Sequence, residues 1–344
     1  MSSRLEWGEL GASLCRGARK LGFDDAGLCL ALPRPEMVRL GDWLGTRMEG
    51  KLTYMRQHVE VRTDPRHLLA GARSVLMVAK SYLRVDEGGR PIRGPVSAHA
   101  AGRDYHTIMK KGLWEVGRLV TQAGGRFKLF VDSAPVMEKV LAAAAGLGKI
   151  GRNSLLVHPV LGSWVVLGGL VTDLDLTPRS GQPEGPGPSS VAQDRWLSGT
   201  CQDDHPDILL PDCQGCRRCV EACPAQAISE GGVVDAGRCL SYWTIEHSEG
   251  WPDWVAERVG GEQIYGCDMC QQVCPVNQGA RATGGTDFGP FPFDGLDAVA
   301  LAGWDATRFR NRTRKSSMRR IRFEQFRRNA SACARNRKLK TDSD

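Results

Sequence analysis

Four cysteines fall within the stretch CQGCRRCVEACP, which runs from Cys213 to Pro224. The spacing Cys-x2-Cys-x2-Cys-x3-Cys-Pro is typical of chains that bind iron–sulfur clusters through cysteine thiolates. Three cysteines at this spacing wrap one loop around a cubane cluster, while the fourth, next to the proline, points towards a second cluster. The stretch therefore predicts electron transfer, and it requires a second set of ligands elsewhere in the chain.

That second set lies downstream, at Cys239 and in the run Cys267-x2-Cys270-x3-Cys274-Pro275. In two-cluster bacterial ferredoxins the cysteine before the proline ligates the other cluster. Carried over to this chain, the crossed pattern assigns one [4Fe–4S] cluster to Cys213, Cys216, Cys219 and Cys274. It assigns the other cluster to Cys223, Cys239, Cys267 and Cys270. The 27 residues between Cys239 and Cys267 form a long insert, which we expect to cover the clusters or to face the electron acceptor.

Two other uses of cysteine compete with this interpretation. Paired Cys-x2-Cys motifs also bind zinc, but zinc does not account for two Cys-x3-Cys-Pro endings. A disulfide framework is not expected, because eight of the twelve cysteines lie between Cys213 and Cys274 and no secretory signal is visible at the N-terminus. The remaining cysteines lack metal-binding spacing, and we expect buried or incidental thiols at Cys15, Cys29, Cys201 and Cys333.

Composition indicates a cytoplasmic globular protein. The 344 residues are 41% hydrophobic and 25% charged, which is enough for two domains with buried cores. The most apolar segment, LLVHPVLGSWVVLGGLV (155–171), is interrupted by His158, Pro159 and several glycines. It therefore predicts buried strands and not a membrane span, so we expect no membrane partner.

Hydrophobic periodicity predicts the elements that must position the cysteines and their electron acceptor. Strand-like and helical runs lie at 72–83, 105–124, 127–132, 134–146 and 163–174. They indicate an α/β or α+β domain. The predicted division of the chain is a domain over 1–176, a Pro/Gly/Ser-rich linker over 177–210, a ferredoxin-like domain over 211–280 and a basic tail over 281–344.

Clusters transfer single electrons, so two-electron bond chemistry needs a further centre in the N-terminal domain. The motif GLGKIG (146–151) matches GxGxxG, but it follows a helical run instead of a strand, which argues against a dinucleotide site. Asp104-Tyr-His106 has half of the DxHxxG pattern of some corrinoid proteins, but Met109 stands in place of the glycine. A solvated or helix-capping role for His106 is the simpler interpretation.

Several longer blocks resemble the epoxyqueuosine reductase family, the iron–sulfur and cobalamin enzymes of tRNA modification. The most specific block is VDSAPVMEKVLAAAAGLGKIGRNSLLVHPVLGSWVVLGGLVTDL (131–174). Other similar blocks are RTDPRHLLAGARSVLMVAKSYL (62–83), GRDYHTIMKKGL (102–113), RCLSYWTIEH (238–247) and YGCDMCQQVCPVN (265–277). They cover most of residues 45–280 in the family's order, interrupted by the linker.

The resemblance implies a nitroreductase-like, cobalamin-binding α/β domain followed by a two-cluster bacterial ferredoxin-like domain. The implied reaction is the two-electron deoxygenation of epoxyqueuosine at a tRNA wobble position, which gives queuosine and water. Electrons would pass from an external low-potential donor through the two [4Fe–4S] clusters to cobalamin. We expect the enzyme to act as a monomer.

The resemblance also implies the site residues. Asp132 in VDSAP matches the family's general acid, which must protonate the epoxide oxygen as the C–O bond opens. That role needs a raised pKa, which burial beside a corrin face would provide, whereas the alternative role of Asp132 is to cap a helix. The implied cobalamin contacts are Arg62, Asn153, Leu167, Ser241 and Asp268. Their alternative roles are an exposed arginine, a turn residue, a core residue, a helix cap and a solvated loop acid.

Two segments depart from the family pattern. His99 stands where the family has an aromatic residue, and alanines surround it in VSAHAAGRDYH, so the substrate pocket is expected to differ. The C-terminal segment TRKSSMRRIRFEQFRRNA (313–330) resembles the start of the helical repeats that grip tRNA in the family, but the chain ends soon after it. From Arg308 to Asp344 the net charge is +11, against −4 for the preceding residues. This segment predicts salt-dependent phosphate binding, or else a disordered solubilising tail.

Two further functions stay open on the sequence alone. One is a cobalamin- and iron–sulfur-dependent reductase of a different substrate, because the segment around His99 is altered. The other is a ferredoxin-like electron carrier whose N-terminal domain binds a partner and performs no chemistry. Bound cobalamin would distinguish either enzyme from the carrier.

Overall fold

The computed structural model describes residues 6–176, 213, 215–259, 263–282 and 286–341. The predicted linker and Cys201 therefore lie outside the described residues. Across the described part of the chain, no helix is both long and apolar enough to cross a membrane.

The N-terminal part is mixed α/β, as the periodicity predicts. Its elements are α1 (Glu6–Lys20), β1 (Asp25–Leu30), α2 (Pro35–Gly45), α3 (Val59–Thr63), β2 (Ser74–Ser81), α4 (Tyr105–Gln122), β3 (Phe127–Phe130), α5 (Glu138–Ala144), β4 (Lys149–Ile150), β5 (Leu156–Val157) and β6 (Val165–Thr172). Each of the five predicted runs contains one of these helices or strands. The motif GLGKIG leads from the end of α5 into β4, which is the reverse of the strand-to-helix order of a dinucleotide site.

Four strands form one antiparallel sheet in the order β1-β2-β6-β3. Successive side chains of a strand point to opposite faces of the sheet. Leu76 and Val78 of β2 accordingly pack in a core with α1 and α4, whereas Val75 and Met77 pack on the other face with α5. Because helices cover both faces, every residue of β2 is buried.

The segment between β3 and α5 departs from the predicted helix. The run 134–146 predicts a helix that starts near Ala134, but α5 begins only at Glu138, with Met137 at its N-cap. Glu138 turns back instead, and its Oε1 accepts a hydrogen bond from the backbone N–H of Asp132 at 2.5 Å. Asp132 has a left-handed backbone with φ of +51° and does not cap α5, so its predicted alternative role is wrong.

The C-terminal part is helical. Its elements are α6 (Arg218–Glu221), α7 (Leu240–Ile245), α8 (Asp253–Arg258), α9 (Met269–Gln272), α10 (Pro275–Gln278), α11 (Ala298–Ala302), α12 (Ala306–Arg312) and α13 (Phe323–Thr341). One buried core joins the cysteine-rich segment, the insert and the basic segment. Met318, Ile321, Phe326 and Ala330 of the basic segment are buried in this core. The described part of the basic segment is therefore folded against the cysteine-rich segment, and the alternative of a disordered tail is wrong for these residues.

Buried hydrogen bonds connect the two parts. Asn277 donates to Ser163 Oγ at 2.8 Å and accepts from the Ser163 backbone N–H at 2.7 Å. Tyr82 at the end of the sheet donates to Gln271 Oε1 at 3.1 Å. These bonds hold α9, which contains Cys270, and α10, which follows Cys274, against the edge of the sheet where β2 ends and β6 begins.

Candidate active site

The first group of cysteines surrounds an open cavity. A cavity of about 320 Å³ is lined by the thiol-bearing residues Cys213, Cys216, Cys219 and Cys274. Cys274 comes from the second cysteine run, so both runs contribute to one cavity. This is the set that the crossed ligand pattern assigns to one cluster.

The second group of cysteines lies beside the first. Burial raises the pKa of the Cys267 thiol, and Cys239 and Cys223 lie close enough to raise it further. Burial also raises the pKa of Cys270, with added contributions from Cys267, Cys239 and, more weakly, Cys219 of the first group. Cys223, Cys239, Cys267 and Cys270 therefore lie within electrostatic range as one group, and the pKa of Cys270 is also influenced by Cys219 of the first group.

The donor set fits iron–sulfur clusters better than single zinc ions. Four thiolates around one zinc ion would place every sulfur about 2.3 Å from a common point. The four thiol-bearing residues of the first group instead line a cavity of about 320 Å³. Thiols spread around an open cavity match a larger inorganic group.

Two arginines and Asn153 complete the wall of the first cavity. Arg152 and Arg218 both line it, and Arg152 donates from Nη2 to the Cys213 carbonyl at 2.6 Å. Asn153, an implied cobalamin contact, is buried in the same wall, where its Oδ1 accepts from the Leu155 N–H at 3.3 Å. The guanidinium of Arg152 is buried, so it would favour the more negative, reduced form of a cluster in this cavity.

Asp268 and Ser241 lie at the second cysteine group. Asp268 is 3% exposed, so the expectation of a solvated loop acid is wrong. It accepts from the Ala98 N–H at 2.8 Å, from Gln263 Nε2 at 2.9 Å and from the Ser97 hydroxyl. Burial raises the pKa of Cys239, and hydrogen bonds from the backbone N–H groups of Ser241 and Tyr242 oppose this effect.

Asp132 is surrounded by cationic partners. Its Oδ2 lies 3.2 Å from His106 Nε2 and 3.8 Å from Arg320 Nη1. Burial alone would raise the pKa of Asp132, but the hydrogen bond from His106 and the charges of His106 and Arg320 outweigh burial. The pKa lies below its ordinary value, in contrast to the raised pKa that the sequence analysis required of a general acid.

The proton of this site resides on His106. Its Nδ1 lies 2.6 Å from Asp104 Oδ1, while its Nε2 faces Asp132. Hydrogen bonds to these two carboxylates raise the pKa of His106 to about 9, although burial opposes them. At neutral pH, therefore, His106 is a cation and Asp132 is ionised.

Asp132 and Lys139 lie in a recess that is open to solvent. The Asp132 side chain is 42% exposed to solvent, and Lys139 is also exposed. Even so, desolvation by the surrounding protein is the largest single influence on the pKa of each side chain. Side chains that are closely surrounded by protein and still reach solvent must line a concave surface. Burial lowers the pKa of Lys139, whereas the charges of Glu138, Asp132 and, more weakly, Cys270 of the second cysteine group raise it.

In the described part of the chain, the side chains of Arg62 and Leu167 form no hydrogen bond with Asp132 or with the cysteines. Arg62 is half-buried and donates from Nη2 to the Tyr54 carbonyl at 3.1 Å. Leu167 is 9% exposed on β6 and packs in the core on the α5 side of the sheet. Leu167 thus faces the side of the sheet that α5 covers.

The altered segment contributes an aromatic cluster next to the recess. His99 Nδ1 lies 3.0 Å from Ser97 Oγ. The centroid of the His99 ring lies 6.2–6.4 Å from the ring centroids of Tyr82, Tyr105 and Tyr265. Burial lowers the pKa of His99, so this histidine is neutral at pH 7.

Three residues around Asp132, namely His106, Glu138 and Arg320, were not predicted from the sequence to belong to the site. His106 was interpreted as a solvated or capping residue, and neither Glu138 nor Arg320 was singled out. The sequence signal for His106 is the Asp-x-His pair at the start of a helix, where Asp104 caps the first turn and also binds the imidazole. Glu138 and Arg320 carry no local signal, because their partner is distant in the chain.

Two family models match this chain. "Epoxyqueuosine reductase QueG, DUF1730" matches residues 62–133, and "4Fe-4S double cluster binding domain" matches residues 212–277. The epoxyqueuosine reductase of Gloeobacter violaceus is 36% identical, over 91% of this chain and 92% of its own length. The chain belongs to the epoxyqueuosine reductase family. It is therefore an oxidoreductase with a double [4Fe–4S] domain, which favours the enzyme over the electron carrier.

Solved epoxyqueuosine reductases share this fold. One, with a tRNA-Tyr epoxyqueuosine-modified tRNA stem loop, has a TM-score of 0.76 at 24% identity over 95% of this chain and 81% of that one. Another, from Bacillus subtilis, has an aspartate catalytic loop swung out of the active site. Its TM-score is 0.75 at 23% identity, over 95% of this chain and 82% of that one.

Proposed function

We propose that this chain deoxygenates epoxyqueuosine to queuosine in tRNA, with electrons passing from two [4Fe–4S] clusters to cobalamin and Asp132 protonating the leaving oxygen. The carrying observation is that the Asp132 carboxylate is exposed to solvent beside Lys139, whose pKa is influenced by the charge of Cys270 in the second cysteine group. A cofactor in this recess would lie between the electron source and the acid. An external low-potential donor would supply the electrons to a cytoplasmic monomer.

The residues around the recess fit a corrin. Met137, Ala143 and Ala144 of the α5 segment are only partly buried and offer apolar surface, and Leu167 lies on the same side of the sheet. The contacts that the family resemblance implies are Arg62, Asn153, Leu167, Ser241 and Asp268, and these stay proposals. Cobalamin would supply a cobalt centre able to deliver electrons to the C–O bond.

Residues of this chain would neutralise the negative charge that develops on the substrate oxygen. As the epoxide C–O bond breaks, negative charge develops on oxygen, and a positioned acid must neutralise it. Asp132 supplies the proton at Oδ2, where His106 and Arg320 converge. Because Asp132 is ionised at rest, it must receive that proton from a neighbour before it can donate it.

The basic C-terminal segment would hold the tRNA beside this acid. Arg320 pairs with Glu246 at 2.7 Å and also borders Asp132, so the segment reaches the recess itself. Exposed cations flank Arg320, namely Arg314, Lys315, Arg319, Arg322 and Arg327. Such a cluster binds phosphates through counterion release. The similar fold of a reductase with a tRNA stem loop supports this placement.

Turnover of modified tRNA tests the proposal. The protein is reconstituted anaerobically with iron, sulfide and cobalamin, then mixed with epoxyqueuosine-containing tRNA and a low-potential reductant. We expect mass spectrometry of the nucleoside to show the loss of one oxygen atom. Asp132→Asn should lower kcat by about 10²–10⁴-fold with both clusters in place. Glu115→Gln is the control, because it also neutralises an acidic side chain and because the exposed fraction of Glu115, 43%, is similar to that of Asp132, 42%.

Two outcomes would contradict parts of the proposal. Unchanged turnover in Asp132→Asn would remove the acid role from this residue. A wild-type protein that holds both clusters and cobalamin but leaves the epoxide intact would instead indicate a reductase of another substrate. The aromatic cluster around His99, in the segment that departs from the family pattern, would then be the place to seek that substrate's contacts.

A further inference from the structure

His106 lies between two carboxylates, one at each ring nitrogen. Nδ1 is 2.6 Å from Asp104 Oδ1, and Nε2 is 3.2 Å from Asp132 Oδ2. Asp104 is itself fixed, because it caps α4 by accepting the backbone N–H of His106 at 3.1 Å. The imidazole also stacks on the Tyr105 ring, with centroids 4.2 Å apart. The ring is therefore held in one orientation with a partner for each nitrogen.

Charged and titratable groups from several segments face this array. Beyond its own members they are Tyr54, His99, Tyr105, Glu138, Lys139, Glu246, Tyr265 and Arg320. Burial, reinforced by Asp132, raises the pKa of Glu138 to about 8. The carboxylates nearest the imidazole dominate, and they raise the pKa of His106 to about 9. At neutral pH His106 and Glu138 therefore each hold a proton beside an ionised Asp132, and His106 presents its proton to Asp132 Oδ2.

We propose that Asp104, His106 and Asp132 form a proton relay, in which His106 stores the proton that Asp132 delivers and Asp104 fixes the imidazole. His106 acts through Asp132 and has no contact with the substrate of its own, so it is a positioning residue. The inference rests on the proposed function, and it extends that function by naming the source of the proton.

The balance of the reaction requires such a store. Conversion of an epoxide to an alkene breaks two C–O bonds, forms one C=C bond, and releases the oxygen as water. It consumes two electrons, which a low-potential one-electron donor supplies in two steps through the clusters, and two protons. Asp132 delivers one proton at a time, so it must be reloaded within each turnover.

The geometry gives the path of each proton. The Nε2 proton of His106 moves to Asp132 Oδ2 and then to the substrate oxygen, while Nδ1–H stays bonded to Asp104. Neutral His106 then takes a proton at Nε2 from water, which reaches the half-exposed Asp132 carboxylate. A second passage along the same path completes the water molecule.

The first test is the pH dependence of kcat. In the wild-type protein kcat should fall as the pH rises through about 9, where His106 loses its proton. His106→Gln keeps a polar side chain but cannot titrate, so this fall should disappear and kcat should drop by about 10²-fold. Asp104→Asn keeps the hydrogen bond and removes the charge, so the fall should shift down by about one pH unit or more. His67→Gln, an exposed histidine outside the site, is the control.

The second test measures the stored proton without substrate. Nuclear magnetic resonance of ¹⁵N-histidine in the full chain, with oxidised clusters, should show His106 titrating near pH 9. The titration should move down by about one unit or more in Asp104→Asn and in Asp132→Asn. This readout does not depend on the folding of His106→Gln or on the identity of the substrate.

These tests separate the relay from the proposed function. A His106 titration near its ordinary pKa of about 6.5 would overturn the relay. A wild-type pH profile in His106→Gln would also overturn it, even if the epoxide is reduced. A titration near pH 9 in a protein that never reduces the epoxide would support proton storage at His106 and reject the proposed substrate.

Discussion

Glu138 controls the backbone of Asp132, the residue on which the proposed acid chemistry depends. Asp132 has a left-handed backbone, which costs a non-glycine residue roughly 1–3 kcal/mol unless its surroundings impose it. The Glu138 carboxyl group helps to impose it, because its Oε1 accepts a hydrogen bond from the Asp132 backbone N–H at 2.5 Å. The Glu138 side chain thereby holds the loop of residues 131–137, which carries Asp132.

Removal of the Glu138 carboxylate should release this loop. In Glu138→Ala the Asp132 amide loses its acceptor, and we expect its hydrogen exchange to accelerate by about tenfold, as the loss of one net hydrogen bond implies. Glu138→Gln keeps an acceptor oxygen and serves as the matched control. Equal protection of the Asp132 amide in wild type and Glu138→Ala would show that other contacts hold the loop.

At the residue scale, the sequence predicted ligands better than acid–base partners. The cysteines were identifiable because cluster ligation needs thiolates at short, fixed spacings, and they do lie in two groups. The lowered pKa of Asp132 was not predictable, because His106 and Arg320 come from distant parts of the chain. A carboxylate's pKa depends on neighbours that only the fold brings together.

At the element scale, short helices of the cysteine-rich part are hydrogen-bonded to the sheet side of the N-terminal part. Cys274 precedes α10, and Asn277 in that helix is bonded to Ser163, so the position of Cys274 is tied to the sheet. Five elements of the N-terminal part, namely β2, α4, β3, α5 and β6, lie within the runs that periodicity predicts. The late start of α5 does not follow from periodicity, because it depends on a bond between Glu138 and the backbone of Asp132.

The crossing of the two cysteine runs can be tested with one substitution. Cys274→Ser should abolish the cluster of the first cavity and leave the cluster of the second group intact, because Cys274 lines the first cavity. Iron analysis and electron paramagnetic resonance after reconstitution should therefore report one cluster instead of two. Cys15→Ala, a buried thiol remote in sequence from both runs, should retain both. If Cys274→Ser lost the second-group signal and kept the first, the crossed assignment would be wrong.

At the scale of the whole molecule, the basic C-terminal segment has two functions in the fold: its apolar residues pack in a core, and its arginines are exposed. The basic segment adds its apolar residues Met318 and Phe326 to the core of the cysteine-rich part and exposes its arginines. Its charge was evident from the sequence. Its contact with the recess through Arg320 was not, because 188 positions separate Arg320 from Asp132 and no local pattern encodes that contact.

The exposed arginines should govern the salt dependence of tRNA binding. Replacement of Arg314, Arg319 and Arg322 by Gln should weaken binding of an epoxyqueuosine stem loop and reduce the slope of log K against log salt by about 2–3. Fluorescence anisotropy at several salt concentrations measures both quantities. A triple Gln variant at exposed Arg16, Arg39 and Lys128 removes the same charge from the N-terminal domain and should keep the wild-type slope. Equal slopes in both triple variants would place the tRNA elsewhere.

The most direct test of the whole account is the binding of cobalamin to the reconstituted protein. With both clusters assembled, an anaerobic optical titration should show one cobalamin bound per chain. Reduction by a low-potential donor should then change the spectrum of the bound corrinoid after that of the clusters. A protein that carries both clusters and binds no cobalamin would contradict the account.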